Sequence, residues 1–128
     1  MAGYSGTPLA RKLGIKDDSR VLVLGAPDGF EIEGVPSGRS LRGQADVMLS
    51  FHTERRDLER RMPQLREHME PACRLWIGWP KRASRMPTDL TEDVVREIAY
   101  ANRLVDNKVA AIDEVWSGLQ LVIRLVDR

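Results

Sequence analysis

The chain has one cysteine, Cys73, few aromatic side chains (three Trp, two Tyr, two Phe) and almost no net charge among its 128 residues. One cysteine cannot close an intramolecular disulfide or build a cysteine-rich zinc site, so no metal is expected and a reducing, cytoplasmic setting is the natural inference. No apolar run approaches the ~20 residues of a membrane span, and MAGYSGTPLARKLG lacks the apolar core of a signal peptide, so no membrane partner is expected. The 20 basic and 19 acidic residues leave a formal charge of +1. Bulk charge therefore indicates neither a nucleic-acid partner nor an acidic tail, and any electrostatic function must be local.

What is present fits one domain with one core, spanning 1–128, with residues 1–6 as a flexible arm. Thr7-Pro8 reads as the start of a short helix carrying Leu9 and Leu13, and Gly14 suits its end. Val21-Leu22-Val23-Leu24, halted by Gly25-Ala26-Pro27-Asp28-Gly29, reads as a strand buried on both faces. Residues 30–44 are broken by Gly34, Pro36, Gly38 and Gly43; a short helix near Phe30 and an edge strand near Leu41 are the candidates there. Strands follow at 45–51, 73–79, 108–112 and 119–125, and helices at 53–69 and 90–101. Pro63 predicts a kink in the first of these helices, or two helical pieces.

Strands alternating with helices and closing on a hairpin specify the class α/β. The expected architecture is three layers, with a mostly parallel sheet of five to six strands and a C-terminal antiparallel pair. In such sheets ligands bind where the parallel strands end. That edge would gather Gly25, Asp28, Gly29, His52, Lys81, Ser84, Asp113 and Trp116, which form the candidate ligand site.

Each candidate carries two readings. Lys81, Arg82, Ser84 and Arg85 can hold a phosphate or carboxylate through charge-assisted hydrogen bonds, or can be solvated loop side chains. Asp89-Leu90-Thr91-Glu92 has the spacing of a capping box, which explains its acids without catalysis. Trp79 and Trp116 can flank a flat ligand, although indoles also cover core ends, and the parity of Trp76 and Trp79 puts those two on opposite sheet faces. His52 leaves a parallel strand toward the edge and can act as acid or base, yet no spacing supplies a nucleophile and an orienting acid, so a structural hydrogen bond competes. Asp113 and Glu114 can contact a cationic group or organise the turn before Trp116. Cys73 reads as an inert buried thiol.

VLVLGAPDGF and the order of elements resemble a shortened class I methyltransferase-like Rossmann fold. That family's first loop is richer in glycine, and residues 25–44 are too few for its next helix, strand and ribose-binding acid. YSGTPLARKLGI, WPK-x-x-S-x-x-PTDLTEDVVR and VDNKVAAIDEVWSGLQLV resemble, over nearly the whole chain, the bacterial domain-of-unknown-function family number 3052. Many of that family's members carry Cys where Ala110 stands, so no shared thiol chemistry is implied here. The combined expectation is a non-enzymatic module binding a small anionic metabolite or a protein at the loop edge, with no cofactor implied. Two alternatives stand beside it: a degenerate S-adenosylmethionine-dependent transferase, and a homo-oligomeric interaction protein.

Overall fold

The computed structural model describes residues 8–128, so the arm at 1–6 and the proposed cap at Thr7 lie outside the described residues. Helix α1 spans Leu9–Leu13 and ends as expected: Gly14, at φ 80°, takes the left-handed conformation that lets its N–H reach Arg11 C=O while Ile15 N–H reaches Ala10 C=O. Strands β1 (Val21–Leu24) and β2 (Ala45–Phe51) match their predicted limits. Helix α2 runs Arg55–Glu67, β3 Met69–Pro80, α3 Glu92–Ala101, β4 Leu104–Ala111 and β5 Trp116–Ile123.

The sheet order is β1-β2-β3-β5-β4. Strands β1, β2 and β3 are parallel, and β5 runs antiparallel to both β3 and β4. Helices α2 and α3 cover one face, packing Leu58, Met62, Leu65, Val95 and Ile98 onto Met48, Leu75, Ile77 and Leu119. On the other face α1 and the loop after β1 bury Leu13 and Ile32 against Val47, Leu49, Trp76 and Trp116. Trp76 and Trp79 fall in these two different clusters, as their parity requires. Leu24 pairs Ser50, Phe51 pairs Gly78, Pro80 pairs Trp116 and Ala111 pairs Ser117, so the loops after the parallel strands do share one edge.

Several expectations are corrected. Pro63 does not divide α2 into two helical pieces: one helix runs through it. It lies on the exposed side, where water can satisfy the carbonyl that loses its N–H partner. Residues 30–44 form neither the helix near Phe30 nor the strand near Leu41; irregular backbone predominates, with one turn at residues 33–34 and one parallel bridge from Gly38 to Leu22. Strands β3 and β4 begin earlier than expected because cross-strand pairing, which local pattern does not report, recruits Met69 and Leu104. Strand β5 begins at Trp116, since the Asp113 carboxylate closes the preceding turn by accepting from the Val115 and Trp116 N–H groups, both at 2.8 Å.

The capping box is also reassigned. Thr91, at the start of α3, accepts from Val94 N–H, whereas Asp89 accepts from Arg55 N–H and so caps α2. Thr88 fastens the same loop by donating to Thr53 C=O at 2.6 Å.

Candidate functional site

Among the clefts at the loop edge, two lie on opposite faces of the sheet, and a shallower groove runs along Gly25, Asp28, Gly29 and Arg39. The larger, about 980 Å³, lies between α1, residues 27–34 and the β4–β5 turn. Phe30, Ile112 and Trp116 form its apolar part, and Asp28, Glu31, Glu33 and Asp113 contribute carboxylates. None of the described residues lining it is basic. Trp116 is fixed edge-on against Phe51, whose ring is in turn met by Phe30, at centroid distances of 5.0 and 4.9 Å. The turn holding Asp113 engages one of its carboxylate oxygens, Oδ1.

The second cleft, about 360 Å³, lies beside α2 over the ends of β1 and β2. Leu24, Gly25, Ser50 and His52 form its floor, and Asp57, Arg60, Arg61 and Gln64 come from α2. Residues 25–44 supply no helix to pack beside α2 here. His52 is buried and bonded at both ring nitrogens: Nε2 lies 2.7 Å from Ser50 Oγ, and Nδ1 lies 2.6 Å from Asp57 Oδ2. A carboxylate only accepts, so Nδ1 carries the proton and Nε2 presents its lone pair to the serine hydroxyl.

Burial holds the His52 imidazole below its ordinary pKa of 6.5; the Asp57 hydrogen bond and charge oppose this, and Arg61 adds a further lowering. The unfolded chain therefore takes up this proton more readily than the folded one. Stability is present above pH 6.5 and declines as pH falls from there through the folded-state pKa. The urea midpoint is expected to be lower at about pH 5 than at about pH 8, and His52→Gln should flatten that slope. An undiminished slope in the variant would assign the acid sensitivity elsewhere.

The predicted site residues thus divide. Asp28, Gly29, Asp113 and Trp116 meet in the larger cleft and His52 lies in the smaller, while Gly25 lines the smaller cleft and also the shallower groove with Asp28 and Gly29. Lys81 and Ser84 line neither: Lys81 N–H donates to Val115 C=O at 2.7 Å, and the Ser84 hydroxyl donates to Lys81 C=O at 2.7 Å. Trp79 and Trp116 cannot flank one ligand, because they pack on opposite faces.

Sequence reasoning missed Ser50, Asp57 and the α2 arginines. The signal for Ser50 was available, since a two-residue step on a strand puts it on the same side as His52. No group of acids, histidines and cysteine suited to a metal ion occurs among the described residues, and no helix among them is long and apolar enough to cross a membrane.

No family model and no curated protein matches the chain. Solved structures do. The LepI complex with SAM aligns at TM-score 0.59 and 10% identity over 92% of this chain and 47% of that one. Methanococcus jannaschii fibrillarin, a pre-rRNA processing protein, aligns at 0.58 and 13% identity over 94% and 70%. Magnesium protoporphyrin IX methyltransferase from Synechocystis PCC 6803 with bound SAM aligns at 0.52 and 13% identity over 66% and 41%. The chain spans less than half the length of the first and third of these. At such identities the likeness concerns the backbone alone: the fold is α/β and methyltransferase-like.

Proposed function

We propose that the chain binds a small, positively charged molecule with a flat or apolar body in the larger cleft. The observation that carries this reading is the lining itself: Asp28, Glu31, Glu33 and Asp113 surround the apolar floor made by Phe30, Ile112 and Trp116, with no basic residue among the described ones. A cleft lined by one sign of charge concentrates ions of the other sign, and exposed ring surface adds attraction for a cation. This replaces the expected anionic metabolite with a cation, because none of the four residues that motivated an anion, Lys81, Arg82, Ser84 and Arg85, lines the cleft.

S-adenosylmethionine belongs to this chemical class through its sulfonium and amine, and the methyltransferase-like backbone supports that choice. The transferase and the pure binding module share the cleft and differ only in whether a methyl group leaves. Thermal denaturation with S-adenosylmethionine, other organic cations, nucleoside triphosphates and sugar phosphates tests the reading, since a ligand selective for the folded state stabilises it. A rise with cations alone is expected, lost in Asp28→Asn/Glu31→Gln. Equal responses to cations and anions, or none at saturating concentrations, would sink it. Methyl transfer to any acceptor would then separate enzyme from module.

A further inference from the structure

The smaller cleft holds an arrangement that the larger one does not need. We propose that Ser50, His52 and Asp57 form a nucleophile, base and orienting acid for acyl transfer from small activated esters or acyl phosphates that carry a negative charge.

The array follows from local structure. Ser50 and His52 lie two residues apart at the end of β2 and so project to the same side. Helix α2 begins at Arg55, which brings Asp57 of its first turn back over that strand end. The distances of 2.7 Å from Ser50 Oγ to Nε2 and 2.6 Å from Nδ1 to Asp57 Oδ2 are those of nucleophile–base and base–acid hydrogen bonds. A buried serine–histidine pair serving only the core would be sealed on all sides. Ser50 and His52, though only 2% and 6% exposed, line an open cleft, and the carboxylate of Asp57 reaches solvent, with its side chain 57% exposed.

Arg60 and Arg61 supply positive charge along the same wall. Arg61 is close enough to His52 for its charge to make the imidazole less basic. Guanidinium groups bind carboxylate and phosphate well, and a cation at this distance also favours negative charge developing on a carbonyl oxygen. The cleft, about 360 Å³, suits a short acyl group.

In the first step Ser50 Oγ bonds to the carbonyl carbon while its proton passes to His52 Nε2. The C–O bond to the leaving group then breaks, and the leaving alkoxide or phosphate takes that proton. In the second step His52 removes a proton from water, whose oxygen bonds to the acyl carbon; the bond from that carbon to Ser50 Oγ breaks, Oγ takes the proton back from His52, and the carboxylic acid leaves. Ester and water become acid and alcohol; acyl phosphate and water become acid and phosphate. Asp57 and Arg60 or Arg61 are positioning and charge-stabilising groups in both steps.

The test incubates the full chain with acetyl phosphate and with neutral p-nitrophenyl acetate, follows intact mass, and maps the acetyl group by peptide mass spectrometry. One acetyl on Ser50 is expected, absent in Ser50→Ala. Asp57→Asn, at an exposed side chain, is expected to keep the melting temperature and to slow Ser50 acetylation by about 10⁴-fold, the cost of the same change to an orienting carboxylate in a serine–histidine–aspartate triad. Arg61→Gln should weaken reaction with acetyl phosphate more than with the neutral ester. Acetyl confined to lysines, or an Asp57→Asn rate equal to that of the parent, would overturn the proposal. Because Asp28→Asn/Glu31→Gln is expected to leave Ser50 acetylation unchanged, its outcome is independent of the larger cleft.

Discussion

Trp76→Ala is expected to lower the free energy of unfolding by about 3–5 kcal/mol, the range for truncating a fully buried indole. Trp76 has no exposed surface and sits on β3, paired with Leu49 and Gln120 at the middle of the sheet. Its ring joins the cluster of Leu13, Val47, Leu49 and Ile112, and its Nε1–H donates to Leu13 C=O at 3.1 Å. Truncation therefore opens a cavity and also removes the one donor that fastens the end of α1 to the sheet through this ring. Domains of this size carry only about 5–15 kcal/mol in total, so much of the margin would go. Trp76→Phe keeps most of the volume and isolates the hydrogen bond, with an expected loss of about 1–2 kcal/mol. Urea denaturation of the three proteins measures both. A Trp76→Ala midpoint close to the parent's would mean that α1 and its cluster contribute little to the fold.

Cys73 is expected to react with thiol reagents about a thousandfold more slowly in the folded chain than after denaturation. Its side chain is buried in the cluster beneath α2 and α3, and burial, with Asp46 adding to it, pushes the thiol pKa from 9.0 up to about 12. The thiolate is the reactive form, so its fraction near neutral pH falls by that factor, and steric closure lowers the rate further. A colorimetric thiol assay with and without denaturant checks this. Rapid labelling of the native protein would show that this part of the core opens frequently. The expected silence also sets Cys73 apart from Ser50 as a nucleophile. The serine, though also buried, lines a cleft and bonds a base, whereas Cys73 has a nearby carboxylate as well as burial against its ionisation.

Strands β1 and β2 were legible because Val21–Leu24 is an unbroken apolar run and Ala45–Phe51 a mostly apolar one; both turned out buried except at Asp46. The shared loop edge followed from topology alone. Residues 30–44 were not legible, since four glycine and proline breaks remove periodicity and the observed order there comes from contacts such as Gly38 with Leu22. Within the site, Asp28, Gly29, Asp113 and Trp116 were found by edge placement, but their separation from His52 depends on which sheet face each loop crosses. Asp57 was hidden for a different reason. A first-turn acid normally serves the helix dipole, and only the path from β2 into α2 shows that it meets a histidine five residues earlier.

The cap that Asp89 gives to α2 has a mechanical consequence. The loop before α3 is latched to the first turn of α2 at Arg55 N–H and Thr53 C=O, and Arg55 reaches Glu97 on α3 at 3.2 Å. Asp57 belongs to that same first turn. Any event that drew residues 85–90 away from the body would release an unpaired N–H at the start of α2 and loosen the helix end that aims the carboxylate at His52. Residues 85–90, which line neither cleft, would then act as a lever whose displacement is read as a change in the basicity and orientation of one buried imidazole.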